Sequence, residues 1–498
     1  MPRRRRGQQQ LRGFRIIYSH IYDDLRSSVA SSLPICVLGG GPAGSSAARL
    51  LAEWGHRVRL ITRPTAEPRL AESLPPSCVK LFDAIGVADA IERAAFIRSR
   101  GNTVWWDEGS PRHEPFADNA RGWQVDAHRL ESVLLGAAAA AGVPIERRLI
   151  AESDLHPAAS AFILDCTGRA GCVARAKGLR VYDAGPRTVA LVAEWHCDRA
   201  WPVPDDSHTL VESYDTGWAW SVPTTATHRH IAVMVDPQRS GLARGASARN
   251  IYLLEIAKTR VFRELVKDAA FAAGPWGWDA SSYRAAEYAG DGWVLVGDAG
   301  SFIDPLSSAG VKKALASAWL AAIVVHTSLT KPEMQIHARQ FFSSREAEIE
   351  AELSRESRRY LANAAARHQH PFWSDRAELT VTGDDHESED DADVRAAFEA
   401  LRQAPALRVQ RGAVTVEPRP AISGHEIVME PRIVMGDQPS GVRYLRGVDL
   451  LMLIELAPLF SQVPDLYDAY GRRCPHVALP DFLRALATVL ARGWLVAQ

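Results

Sequence analysis

The sequence predicts an α/β chain: a nucleotide-binding unit of alternating strands and helices with a second sheet inserted into it, and a small α+β module at its C-terminal end. Three observations predict it. Residues 33–64 read as strand, glycine turn, amphipathic helix and strand; residues 291–322 read again as strand, glycine turn and helix; and residues 401–498 close with amphipathic helices and a short apolar strand. At 498 residues and 47% apolar content the chain has more than one core to fill, because a single core stops growing at about 250–300 residues.

The first element, LPICVLGGGPAGSSAARLLAEWGHRVRLITRP, is a βαβ dinucleotide-binding unit. Gly39 permits the tight turn, Gly41 lets the backbone approach a pyrophosphate, and Gly44 allows the helix to pack closely on the strand. Pro42 and Ala43 open the helix, whose unpaired N–H groups face the phosphates. The acid that normally binds a ribose belongs at position 62, where this chain has Thr62 followed by Arg63.

The second element, DGWVLVGDAGSFIDPLSSAGVKKALASAWLAA, is a strand ending in Gly297-Asp298, a loop through Pro305, and a helix starting near Ser308 that includes Gly310 and Val311. Asp298 is placed to accept a hydrogen bond from a ribityl hydroxyl, and the positive end of the helix suits the pyrimidine edge of a flavin. Between the two elements, FILDCTGRAG supplies Asp165 and Gly168, and Arg129 completes the candidate cofactor contacts.

The pairing of GGGPAG with VGDAGSFIDP and FILDCTGRAG resembles the FAD-dependent monooxygenases of the p-hydroxybenzoate hydroxylase superfamily over residues 33–375. That resemblance implies a GR2-type, Rossmann-like FAD-binding domain with an inserted β-sheet substrate domain, its sheet at about residues 95–125 and 185–285, and noncovalent FAD. Two further stretches resemble the tryptophan-halogenase-like branch. AESLPPSCVKLFDAIGV matches the segment that carries a catalytic lysine, with Glu72, Pro76 and Lys80 in register; GWAWSVP matches the WxWxIP signature, with Val222 for isoleucine. As a strand, GWAWSVP places Trp218 and Trp220 on one face, with Pro223 closing the run. The resemblance implies that Lys80 lies at the end of a tunnel from the flavin and that Trp218, Trp220 and Pro223 form a dry wall between flavin and substrate. Tryptophan halogenases carry a glutamate and then Ser-Thr-Gly in the loop where this chain has Ser307-Ser308-Ala309-Gly310, which disfavours chlorination of free tryptophan. Halogenases of carrier-bound substrates have serines there too.

At the C-terminal side, a linker at 376–400 containing the acidic run GDDHESEDDAD is expected, followed by a winged-helix-like docking domain at 401–498. Residues 441–498 hold six arginines, five carboxylates and no lysine, so the module lacks the basic face that nucleic acid requires and suits a protein or peptide partner. Residues 1–32 read as a basic, disordered extension without the apolar stretch of a secretory signal. No apolar run reaches the length of a membrane span, net charge is -1, and six cysteines without metal-ligand spacing suit a reducing cytoplasm.

A halogenase-like pocket without the indole-side glutamate, joined to a docking module, most resembles the flavoproteins that mature tryptophylquinone cofactors. What the resemblance implies is hydroxylation of a tryptophan within a protein or peptide through a flavin C4a-hydroperoxide, with molecular oxygen as co-substrate and a radical S-adenosylmethionine maturation enzyme as neighbour. The alternative is an FADH2-dependent halogenase of a carrier-bound or peptidyl aromatic ring. Electrons come from a flavin reductase or from transient NAD(P)H contact; no second dinucleotide fingerprint decides between them.

Overall fold

The computed structural model describes residues 33–64, 70–106, 110–307, 309–377, 389–403, 406–435 and 438–497. The expected extension at 1–32, Ser308 and residues 383–388 of the acidic run lie outside them. The chain divides into two compact units, Met1–Thr380 and Val381–Gln498.

In the first unit, the strands Trp293–Leu295, Ile163–Asp165, Ile35–Leu38, Val58–Thr62 and Ile145–Arg147 form a parallel sheet in that spatial order, with Ala289–Gly290 antiparallel at one edge. ICVL is buried along its whole length, as a central parallel strand covered on both faces must be. The Pro42–Glu53 helix starts immediately after the first strand, with Pro42 at a position that needs no N–H. It packs against the Gly310–Thr330 helix. That second helix is long and apolar enough to cross a membrane, yet 67% of its most apolar stretch is buried inside the fold, which is how a core helix behaves. It begins at Gly310, and the strand before it ends at Leu295 because Gly297 takes a φ of 62° and turns the chain out of the sheet.

The inserted sheet has seven strands in the order Ala270–Asp279, Val189–His196, His228–Val235, Gly217–Pro223, Thr209–Tyr214, Gly101–Trp105 and Arg112–Pro115. Its period-2 alternation separates two apolar layers. Leu191, Ala193, Ala219, Ile231 and Val233 face one layer, which the Ala248–Lys258 helix helps to cover with Ile251, Tyr252 and Ile256. Ala190, Val192, Trp218, Ala232 and Met234 face the other, with Trp106, Phe372 and Trp373. Trp373 anchors that layer. It is fully buried, its indole N–H donates to the carbonyls of Tyr214 and Asp215 at 3.0 and 3.1 Å, and its ring meets Trp106 edge-on at 5.5 Å.

The second unit combines a three-stranded antiparallel sheet, Val416–Ser423, Glu426–Met435 and Gln438–Val442, with the helices Leu450–Leu456, Val463–Gly471 and Leu479–Ala491. Leu495–Ala497 closes on Val409–Arg411. Residues 389–400, expected within a linker, belong instead to a helix that runs on to Gln403. Val394, Ala397, Phe398 and Leu401 recur at helical spacing and pack on this unit's core, so the apolar stripe outweighs the acidic start.

Because Trp373 both fills the layer behind Trp218 and satisfies two carbonyls, Trp373→Ala is expected to cost about 3–5 kcal/mol. Urea unfolding of the purified protein measures this; a loss under about 1 kcal/mol would show that the layer does not depend on it.

Candidate functional site

The glycine turn is built by close contacts that exclude side chains. Gly39 has φ 102°, and a Cβ on it would lie 2.3 Å from the Cys166 carbonyl oxygen; a Cβ on Gly44 would lie 1.9 Å from the Gly39 carbonyl oxygen. Gly41 differs: a Cβ there meets nothing within 4 Å, because its face opens into a cavity of ≈ 810 Å³. Gly39, Gly41, Pro42, Ala43, Thr62, Arg63, Gly168, Asp298, Pro305, Gly310 and Val311 all line that cavity, so the two glycine elements and the intervening TGR turn converge on one space. A smaller cavity of ≈ 210 Å³ shares Thr62, Arg63 and Glu131 with it and adds His128 and Arg147.

Trp218 and Trp220 line the large cavity as well, joined by Leu70, Val211, Met234 and Trp278. The Trp220 indole N–H is buried without a partner among the described residues. Arg169 also lines the cavity; its Nη2 donates to the Ser281 carbonyl at 3.3 Å, while its Nη1 is buried without a partner among the described residues. A space with a glycine cradle at one end, unpaired donors and an aromatic wall fits a flavin dinucleotide, whose pyrophosphate would take the open face of Gly41 and the N-terminus of the Pro42–Glu53 helix.

Several expected contacts are not brought there. Lys80 is exposed and absent from the cavity wall: the Val79–Ile85 helix turns Phe82 and Ile85 inward behind Cys78, which leaves Lys80 on the outer face. Pro223 is buried at the strand end away from the cavity. Arg129 donates from its backbone N–H to Asp126 and from its guanidinium to the Ala94 carbonyl, so it fastens a helix start and not a cofactor. The Asp165 carboxylate accepts from the N–H groups of Thr167 and Val173 at 3.1 and 2.7 Å and from the Thr167 hydroxyl at 2.6 Å, capping the Cys172–Ala176 helix; burial still pushes its pKa up. Gly44 and Gly297 shape the turns without lining the space. Ser307 sits in the Pro305–Ser307 turn.

Two cavity residues are not among the candidate catalytic or cofactor-binding residues of the sequence, although Glu72 matches the halogenase segment. Glu72, in the short strand Ala71–Leu74, is pushed up to about 7 by burial and then by the nearby Asp298 carboxylate. Lys313, one turn into the Gly310–Thr330 helix, is 6% exposed and donates to the Ser301 carbonyl. A lysine on the buried face of an apolar helix was the signal available for it.

Comparison with known proteins agrees with this geometry. A model of the FAD binding domain matches residues 32–167. The chain is 29% identical to a tryptophan 2-halogenase of Chondromyces crocatus over 63% of its own length, and it spans 64% of that relative, just under two thirds. It is 25% identical to the 1H-pyrrole-2-carbonyl-[peptidyl-carrier protein] chlorinase of Pseudomonas fluorescens, over 58% of this chain and 74% of that one. Among solved structures, the flavin-dependent halogenase CmlS superposes with a TM-score of 0.74 at 19% identity, covering 93% of this chain and 95% of that one. The chain carries an FAD binding domain and its cofactor is FAD, and these likenesses support a place among FAD-dependent halogenases and monooxygenases. The peptidyl tryptophan dihydroxylase QhpG also superposes, with a TM-score of 0.65 at 24% identity over 93% of this chain and 99% of that one, which is a likeness of fold. The relatives found by sequence are named halogenases, and they overturn the expectation of tryptophan hydroxylation.

Gly41→Val is expected to yield folded protein with less than about a tenth of the wild-type FAD content, since the side chain would enter the open face where backbone must meet phosphate; absorbance of the purified variant measures it, and full flavin occupancy would refute the cradle. The titration of Glu72 has a defined sign. Its pKa is raised on folding, so its contribution to stability is full below the ordinary carboxylate range and is lost as pH rises through about 7. Glu72→Gln should therefore gain on the wild type in urea midpoint between pH 5 and pH 8; a constant gap would place Glu72 in the ordinary range.

Proposed function

We propose that this protein is an FADH2-dependent halogenase acting on an aromatic ring carried by a carrier protein or peptide. The observation that carries it is the convergence of Trp218 and Trp220 with both glycine elements on one cavity, in a chain whose sequence relatives are named halogenases. Reduced FAD, when bound, supplies the two electrons with which oxygen oxidises the halide. Overall, ring C–H, halide, oxygen, FADH2 and one proton give ring C–halogen, FAD and two waters, so atoms and charge balance.

The chain's own residues exclude water and handle protons. Leu70, Val211, Trp218, Trp220 and Met234 make an apolar wall that keeps bulk water from an oxidising reaction. Glu72, held near neutrality, can keep or release a proton at its carboxyl oxygen inside that space. A carrier-borne ring is supported by two likenesses: one relative is named for a substrate on a peptidyl-carrier protein, and one fold neighbour for a peptidyl residue. Holding such a carrier is the role we assign to the second unit, which exposes Val416, Met429 and Tyr444 on its strands. Lys80 stands on an outer helix face and not on the cavity wall; the match of its segment to the halogenase lysine segment is what supports our assigning it to halogen transfer.

The decisive measurement incubates reduced enzyme with oxygen, chloride or bromide, and aromatic acyl groups loaded on a carrier protein, with the free acids in parallel. The expected product shows the mass and isotope doublet of one added chlorine on the loaded carrier; gain of one oxygen instead, under every halide, would sink the assignment. Lys80→Ala should leave flavin content unchanged and lower halogenated product by about 10²-fold or more, the range for a lost acid–base or electrostatic group. Normal turnover of that variant would make Lys80 a surface charge.

A further inference from the structure

Lys313 is in an unfavourable place for a lysine. It lies in the first turn of the Gly310–Thr330 helix, where the dipole is already positive, and it is buried. A cation is retained in such a position only where negative charge answers it. The charged and titratable groups around it come from three other elements and from Tyr288. Asp298, in the Gly297–Ala299 turn, has Oδ1 3.5 Å from the Lys313 ammonium, which also donates to the Ser301 carbonyl. Glu72, from the Ala71–Leu74 strand, feels Asp298 and lines the same cavity. Glu346, from the Gln335–Arg367 helix, is fully buried, and neither carboxyl oxygen has a hydrogen-bond partner among the described residues. Burial pushes Glu346 up to about 7, against the pull of the Lys313 and Arg345 charges; Tyr288 feels Glu350 and Glu346.

The same residues hold the turn that the flavin cavity is built on. The Gly297 N–H donates to the Ser317 hydroxyl at 2.9 Å, the Tyr283 hydroxyl donates to the Asp298 carbonyl at 2.6 Å, and Lys313 ties Ser301 to the helix. Lys313 and Asp298 line the cavity, whereas Glu346 does not. The cation is thus at the wall and one of its counter-charges is behind it.

We propose that Lys313 is a positioning residue that tunes the bound flavin: it fixes the Gly297–Ser301 turn and sets a buried positive charge beside the cavity that favours reduced over oxidised FAD, with Glu346 as the counter-charge that moderates it. Reduction adds negative charge to the flavin, and a fixed cation in a water-poor site acts on that charge far more strongly than in bulk water. The inference rests on FAD binding alone and not on the aromatic substrate, so a failed halogenation assay leaves it intact.

The test is the two-electron midpoint potential of the holoenzyme, read by reductive titration against a reference dye. Lys313→Met, which keeps length without charge, is expected to lose at least tenfold of the preference for reduced FAD, a fall of about 30 mV for a two-electron couple. Glu346→Gln is expected to act in the opposite sense and only where Glu346 is ionised: a higher potential than wild type at pH 8, and wild-type behaviour at pH 5.5. A Lys313→Met protein with lowered thermal stability but an unchanged potential would reduce Lys313 to a structural role and overturn the proposal. Should Lys313→Met fail to fold or to hold flavin, Glu346→Gln decides: a potential equal to wild type at pH 8 also overturns it.

Discussion

The contact between the Gly39 carbonyl and Gly44 is the constraint on which the rest of the site depends. A Cβ at Gly44 would lie 1.9 Å from that oxygen, so the Pro42–Glu53 helix can sit on the Ile35–Leu38 strand only with hydrogen at this position. That close seat points the helix N-terminus at the cavity and lets the helix pack on the Gly310–Thr330 helix, whose own start carries Gly310, Val311 and Lys313 to the same wall. Two segments more than two hundred residues apart in the chain thus meet across one dinucleotide-sized space because both are locked to strands of one parallel sheet, with only Ile163–Asp165 between them.

The inserted sheet supplies the opposite wall by a simpler rule. Alternation along the Gly217–Pro223 strand sends Trp218 and Trp220 to the cavity side and Ala219 to the layer under the Ala248–Lys258 helix. The aromatic wall is backed by Trp106 and Trp373, whose edge-on contact and carbonyl-bound indole give it a rigid support. Rigidity matters for the halogenation proposed here, since a wall that breathes admits water to an oxidant.

Electrostatics distinguish this cavity from a neutral nucleotide pocket. Burial pushes Glu72, on the cavity wall, and Glu346, behind it, up to about 7, so both titrate above the ordinary carboxylate range. Lys313 is the buried cation among them, and Asp298, hydrogen-bonded through its backbone to Tyr283, stands between it and Glu72.

What the sequence determined by itself was everything that depends on short-range pattern: the two glycine turns, the helices they start, the strand that alternates Trp218 with Trp220, and the order of helices and closing strand at the C-terminal end. These follow from backbone geometry and period, which a few neighbouring residues specify. Tertiary structure decided what depends on long-range packing. Lys80 went to an outer face because Cys78, Phe82 and Ile85 took the inner one, Arg129 was consumed on the Ala94 carbonyl and Asp165 in capping a helix start, and residues 389–403 became a helix because Phe398 and Leu401 had a core to join. Lys313 and Glu346 lie thirty-three positions apart and became neighbours only when two helices packed together. No local pattern announces such a pair, since a buried charge is defined by what surrounds it and not by the residues beside it in the chain.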